Sequence, residues 1–506
     1  MKSVLIGVTL LATLPTPAAA QRQPATDQWS SVRDTVHALM AKQDVPSVSV
    51  AVARGGKIIW EEAFGWADRE KMIPATPNTV YSLASISKPI TATGLMTLVE
   101  QKKIDLDKPA NDYLGTGKLA GLAGDASGAT VRRVMNHTAG LPLHYQFYYV
   151  NQPYPVVSND ETIARYGILV TPPGELYEYS NLGYGILDHI VARVSGTDYA
   201  DFMRTRVFAP LGLTRTSIGI GPGLEAYVAQ RYDAKQRPIP LYDFDHRGGS
   251  AVYSSAHDLV RFGMFHLKDH LADQRPILAD STIDAMRVAL APANFGLGWS
   301  LAPAAYGLGW ILVDNDGLRS VYHSGGMPGV QTVLVLYPAE DVAVVVLMNF
   351  VGDVGRVSHE IERVTLPKYA DARRRTEERR RAATARAGAF TPPPQLVGEW
   401  SGTIRTWERS VPFALVVQND GDVHAKIEGQ LESLLNDVEW GENTLIGTFR
   451  GSIPTPDASR WPHNVTVSLH LRGSTLNGMA SAVTTTDPVY FALSSYASLT
   501  KKVASP

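Results

Sequence analysis

The strongest strand signals in the chain lie at two places far apart in sequence. Ser47-Val48-Ser49-Val50-Ala51-Val52-Ala53 and Lys57-Ile58-Ile59-Trp60-Glu61-Glu62-Ala63 are separated by a link containing Gly55-Gly56. Val330-Gln331-Thr332-Val333-Leu334-Val335-Leu336 and Val342-Ala343-Val344-Val345-Val346-Leu347-Met348 flank a Pro-Ala-Glu-Asp turn. Short β-prone runs closed by such links read as hairpins. Between the two pairs the pattern is helical and loop-rich, with helices expected at Val131–Met135 and Leu182–Val194. An amphipathic helix around Gln28–Gln43 precedes the first pair, and one around Val354–Leu366 follows the second. A hairpin at each extremity leaves few arrangements, because each must bury an apolar face. The pattern predicts an α+β sandwich: one antiparallel sheet built from both ends of the domain, flanked by helices, with an inserted helical lobe. A site between sheet and lobe is expected.

The flanks read differently. Met1-Lys2, the apolar stretch Val4–Leu14 and Ala18-Ala19-Ala20 form the pattern of a cleavable signal peptide over residues 1–20. The apolar stretch is too short to span a bilayer comfortably, and no later segment reads as transmembrane. The expectation is a secreted or periplasmic chain with no integral membrane segment after cleavage. The first domain is expected over 28–368. From Asp371 to Ala389 arginines and glutamates interleave with alanines, and Pro392-Pro393-Pro394 follows. That composition reads as a solvated helical linker over 369–395 with a stiff end. Beyond it, Phe413–Val417, Val465–Leu469 and the turn Asn419-Asp420-Gly421 indicate a small antiparallel β-barrel domain over 396–506.

Composition removes several chemistries. With no cysteine among 506 residues there are no disulfides, thiolate metal sites, iron–sulfur clusters or thiol nucleophile. A net charge of −2 gives no general electrostatic argument for nucleic acid or an anionic membrane as partner. The 13 histidines form no His-Glu-x-x-His motif, so neither metal nor cofactor is expected.

One tetrad offers chemistry instead. Ser85-Ile86-Ser87-Lys88 enters a helix whose apolar residues include Ile90, Leu95, Met96 and Leu98. Residues at i and i+3 share a helix face, so the lysine amine can reach the Ser85 hydroxyl. A helix N-terminus also favours developing negative charge. Pro89 fits only in the first turn. The spacing alone is weak, since Ser498-Leu499-Thr500-Lys501 repeats it in the tail.

A serine nucleophile of this kind needs a proton shuttle, a polar group that positions the substrate, and backbone N–H donors for an oxyanion. For a Tyr-x-Asn element the candidates are Tyr149-Val150-Asn151 and Tyr179-Ser180-Asn181. The first lies in the aromatic run Tyr145–Tyr149, read as a packing loop. The second follows Pro173-Gly174 and opens a helix, and is preferred. For a His-x-Gly element the candidates are His246-Arg247-Gly248-Gly249 and His323-Ser324-Gly325-Gly326. The first precedes a helix over Ser255–Phe265. The second leads into the late strand pair, where a sheet edge can offer its N–H groups, and is preferred.

In this order, Ser85-Ile86-Ser87-Lys88, Tyr179-Ser180-Asn181 and His323-Ser324-Gly325 resemble the three motifs of the class C β-lactamase-like serine hydrolases. That family holds β-lactamases, D-Ala-D-Ala carboxypeptidases, D-aminopeptidases and esterases. Thr130–Pro142, Pro210–Leu213, Ser254–Leu259 and Tyr306–Trp310 extend the likeness, which covers roughly residues 30–365. Phe295–Trp299 echoes the Tyr306 segment.

The resemblance implies a β-lactamase/transpeptidase-like fold and an acyl-enzyme on Ser85. Lys88 and Tyr179 would share the proton work, with the first acceptor left open. It further implies substrate binding by Asn181, His323, Ser324 and Gly325, and an oxyanion hole from the backbone N–H groups of Ser85 and Gly326. His137 reads as a structural, hydrogen-bonded group below the cleft. One departure matters: these lactamases carry Lys-Thr-Gly where this chain has His323-Ser324-Gly325. A lysine there is a fixed cation, whereas histidine is charged only at low pH or beside acids. The His-x-Gly form is similar to D-aminopeptidases and esterases.

The expectation is an exported hydrolase of amide or ester bonds in small or D-amino-acid-containing substrates. The alternatives are a β-lactamase, or a penicillin-binding sensor that acylates without turnover. Gly398-Glu399-Trp400 is similar to the opening of lipocalin-type barrels. The barrel is read either as a wall of the substrate cleft or as a packing module. Oligomeric state is not legible.

Overall fold

The computed structural model describes residues 27–292, 304–384, 390–486 and 489–502. The expected signal peptide and the Phe295–Trp299 echo lie outside them. Helix α1 (Ser30–Gln43) leads into the hairpin of β1 (Ser47–Arg54) and β2 (Lys57–Asp68). Gly55 and Gly56 turn that hairpin at φ of 60° and 69°, a region that glycine enters at little steric cost. Helix α2 (Ser87–Glu100), strand β3 (Tyr145–Tyr149), helix α3 (Asn181–Ser195) and helix α4 (Ala256–Leu267) follow through the helical lobe. The chain returns as the meander β4 (Ile311–Asn315), β5 (Leu318–Met327), β6 (Val330–Tyr337) and β7 (Val342–Met348). Helices α5 (Val354–Thr365) and α6 (Tyr369–Thr384) come next.

The extremities close one sheet, as the strand pattern predicts. β1 pairs antiparallel with β7, Val52 opposite Val344. The order is Ile73–Pro74, β2, β1, β7, β6, β5, β4, Ala304–Tyr306, Ala291–Pro292. Alternation along each strand divides the core. Val48, Val50, Val344 and Val346 pack with α1 and α5, whereas Ala51, Val345, Leu334 and Leu336 pack with the helical lobe. Each such buried valine or leucine stabilises the layer by about 1.5–3 kcal/mol.

Two expectations need correction. Tyr145–Tyr149 is a strand, not a loop: β3 pairs with Tyr242–Phe244 and with the last strand of the C-terminal sheet. Its backbone partners are remote in sequence, so no local pattern reveals them. The aromatic packing is present, with Tyr145 stacked on Tyr490 at 4.8 Å between ring centroids. The charged linker is helical but only partly solvated. Tyr369, Ala372 and Thr376 form a buried stripe, and Arg375 and Arg379 both pair with Asp316 in the β4–β5 turn.

The C-terminal sheet is an up-and-down meander. Its strands are β8 (Gly398–Arg405), β9 (Ser410–Val417), β10 (Val423–Ile427), β11 (Ser433–Leu434), β12 (Asn436–Gly441), β13 (Thr444–Phe449), β14 (His463–Arg472), β15 (Thr475–Thr484) and β16 (Phe491–Lys501). First and last strands pair, Trp400 opposite Lys501, which leaves β11 and β12 at the ends of a nearly closed barrel. Trp400, Phe413, Leu415, Phe449 and Leu469 are buried within it. The barrel grips the helical lobe through β3, through Asp457 on the Tyr166 hydroxyl, and through Arg472 on Glu175 at 2.6 Å. Among the described residues no helix is long and apolar enough to cross a membrane.

Candidate active site

Ser85 is presented by a strained turn. Ala84 sits at φ 49°, in the left-handed region that side chains rarely adopt, and the helical turn Ala84–Ile86 then runs into α2. Strand β5 lies directly on this turn. A Cβ added at Gly325 would stand 2.1 Å from the Leu83 carbonyl oxygen and 3.0 Å from the Ala84 Cβ. Gly325 therefore serves close approach of backbones. Thr332, opposite it on β6, donates to the Leu83 carbonyl at 2.9 Å and ties strand to turn.

Lys88 is completely buried on the first turn of α2. Its Nζ lies 3.2 Å from Ser85 Oγ, 2.7 Å from Asn181 Oδ1 and 3.1 Å from the Gly249 carbonyl oxygen. Among the described residues no carboxylate pairs with it, and burial pushes the ammonium well below the usual lysine value. A neutral amine has two N–H donors and one lone pair. Asn181 Oδ1 and the Gly249 carbonyl can only accept, so they take both N–H groups. The lone pair is left for the Ser85 hydroxyl.

The third partner comes from an unexpected place. Gly249 belongs to His246-Arg247-Gly248-Gly249, the His-x-Gly candidate set aside in the sequence. It contributes a backbone carbonyl, which no side-chain pattern reveals. The adjacent Gly248 N–H donates to Asp188 Oδ2 at 2.6 Å. Asp245 bridges His144 and His246 at 2.7 Å each, all three fully buried. These groups fix the segment under Lys88, and sequence reasoning missed them.

Tyr179 is half-buried and bonds Ser85 through its hydroxyl. Burial raises its pKa while the Ser85 bond opposes the rise. The net shift is upward, so the phenol stays protonated at neutral pH. Lys88 Nζ lies 4.7 Å from its ring centroid. Ser180 fixes the loop: its Oγ accepts from Gly183 N at 3.0 Å and donates to the Pro142 carbonyl at 2.8 Å. Its N–H donates to His137 Nδ1 at 3.1 Å. Burial holds the His137 imidazole neutral.

His323 is only 2 % exposed. Its Nδ1–H donates to the Ser324 carbonyl at 2.7 Å, which leaves Nε2 to accept from the Tyr306 hydroxyl at 3.1 Å. Burial and then Lys88 bring its pKa down to about 3. The site holds a neutral imidazole at this position.

Ser85, Tyr179, Ile311, Tyr322, His323, Ser324 and Gly326 surround one cleft of about 200 Å³. β4 pairs with β5 only as far as Tyr322, so residues 323–327 have a strand partner on the β6 side alone among the described residues. That gives the open flank expected beside Ser85. Asn181 and Gly325 do not line this cleft. Asn181 holds Lys88, and Gly325 seats the strand.

The beta-lactamase family model matches residues 32–366. Penicillin-binding protein 4* of Bacillus subtilis (strain 168) is 28% identical over 321 residues, covering 57% of this chain and 65% of that protein. A beta-lactamase of Providencia stuartii is 30% identical over 236 residues, covering 46% of this chain and 58% of that protein. The chain thus spans less than two thirds of the length of these two relatives. The octameric penicillin-binding protein homologue from Pyrococcus abyssi shares the fold at a TM-score of 0.58 and 20% identity, covering 91% of this chain and 99% of that one.

Proposed function

The chain belongs to the class C beta-lactamase-like family of serine hydrolases, and on that footing we propose that it cleaves esters or amides of small or D-amino-acid-containing substrates through an acyl-enzyme on Ser85. The observation that carries this reading is the buried Lys88 amine, held by Asn181 Oδ1 and the Gly249 carbonyl with its Nζ 3.2 Å from Ser85 Oγ. In the proposed step Lys88 Nζ removes the Ser85 proton as Oγ attacks the carbonyl carbon. The oxyanion is met by the backbone N–H groups of Ser85 and Gly326. Tyr179, protonated and bonded to Ser85, passes a proton to the leaving group and is reprotonated by the Lys88 ammonium; water then takes the acyl group, its second proton returning to Ser85 Oγ. A raised tyrosine pKa argues against a tyrosinate as the first acceptor.

The names of the relatives support a second reading, acylation by penicillin with or without turnover. The neutral His323 weighs against it, because a penicillin carboxylate meets no fixed cation there. The leader pattern supports export. Steady-state hydrolysis of p-nitrophenyl acetate and of a D-alanyl anilide tests the main reading. Ser85→Ala is expected to lose at least about a thousandfold in kcat/KM, on the scale of a lost nucleophile. Full activity in that variant removes the reading.

A further inference from the structure

A second cavity, of about 480 Å³, lies behind the cleft. It occupies the face of β5 and β6 that turns away from the helical lobe and is roofed by α5 and the linker helix α6. Tyr322 and Ser324 line both spaces, so the cavity adjoins the cleft across these two side chains. Its floor is apolar, formed by Val313, Val333 and Val335, and its far end is polar, formed by Ser358, His359 and Glu362.

The charges around it are largely committed. Glu362 accepts from Ser358 Oγ and from His359, both at 3.1 Å, and from the hydroxyls of Tyr337 and Tyr369. Asp353 caps α5 by accepting from Arg356 N at 3.0 Å. Among the described residues Arg373 is the one lysine or arginine lining the cavity, and its Nε is 2.9 Å from Glu377. Among the described residues no lysine or arginine lines the cleft beside Ser85. An anionic group entering the cavity meets Asp353, Glu362 and, among the described residues, no cation beyond the Glu377-paired Arg373. An apolar group meets an apolar floor.

We propose that this cavity is a subsite for an elongated, uncharged arm of the substrate, apolar near the scissile bond and able to form hydrogen bonds at its tip. The inference rests on the acyl-serine reading and assigns its substrate class. The subsite exists because α6 docks across the sheet, with Tyr369 and Thr376 forming part of the wall.

The test uses the full chain and two ester series. p-Nitrophenyl alkanoates from acetyl to octanoyl lengthen the acyl side, and acetate esters of 1-alkanols lengthen the leaving side. In one series kcat/KM rises at least about tenfold with length, the scale set by burying a few methylenes. The matching ester with a carboxylate at the tip of the long arm falls back by a similar factor. Val335→Phe, on the cavity floor, removes the gain and leaves acetate turnover unchanged. Gly355→Phe is a second block on α5, where an added Cβ meets nothing closer than Asp353 Oδ1 at 3.5 Å. No dependence on length in either series overturns the inference, as does a gain that survives both variants. Acetate turnover that persists in Ser85→Ala removes the underlying reading, and this inference with it.

Discussion

Replacing Gly325 by alanine puts a number on how closely the sheet and the nucleophile turn must fit. The new Cβ would lie 2.1 Å from the Leu83 carbonyl oxygen and 2.5 Å from Thr332 Oγ1. Thr332 can rotate away, but Leu83 offers backbone. Carbon and carbonyl oxygen rest no closer than about 3.3 Å, so β5 and the turn must separate by about 1.2 Å. Overpacking of this kind costs about 1–3 kcal/mol. A misplacement of about 1 Å between reacting groups costs about a hundredfold in rate. Gly325→Ala is therefore expected to keep its circular dichroism spectrum and a cooperative melt while losing about a hundredfold in kcat/KM on a short ester. Gly317→Ala, in the β4–β5 turn, is the control. Its φ of 85° carries backbone strain, but no atom lies within 4 Å of the added Cβ, so activity is retained. Wild-type kcat/KM in Gly325→Ala would refute the argument that β5 is seated on the Leu83–Ala84 backbone.

Removing the proposed base in Lys88→Met is expected to lower kcat about 10²–10⁴-fold, with folding checked by melting. Lys88→Arg gives no rescue, because a guanidinium stays charged. The acid limb of kcat/KM follows from the direction of the Lys88 shift. Activity is present above its lowered pKa and is lost as pH falls through it, when protonation fills the lone pair. His323→Gln leaves that limb in place, since His323 is already neutral over this range, and a limb that vanishes would contradict the assignment. At the interface with the barrel, Asp457→Ala leaves the Tyr166 hydroxyl without its carboxylate. It is expected to cost about 1–3 kcal/mol in a urea titration, against less than about 1 kcal/mol for the half-exposed Arg472–Glu175 pair in Arg472→Ala.

The sheet was legible because β1, β6 and β7 are buried on both faces and its turns carry glycine and acidic residues. The Ser85 and Tyr179 elements were legible because each sits at a helix start, where local sequence fixes geometry. Gly325 was legible as a motif residue but not for its role, since only the approach of Leu83 explains it. The Gly249 carbonyl, Asp188 and the His144–Asp245–His246 cluster were not legible. A backbone acceptor looks the same at every position, and buried polar groups partner at long range. The strand β3 was misread for a related reason, as its partners are Tyr242–Phe244 and the last strand of the barrel, both remote in sequence.

The most direct test of the central claim is intact-protein mass measured on the millisecond-to-second scale during turnover of p-nitrophenyl acetate, quenched in acid. The account predicts an added acetyl group on the peptide that contains Ser85, formed and discharged in step with product and absent in Ser85→Ala. Full turnover with no adduct at any time, or an adduct on another residue, would contradict it.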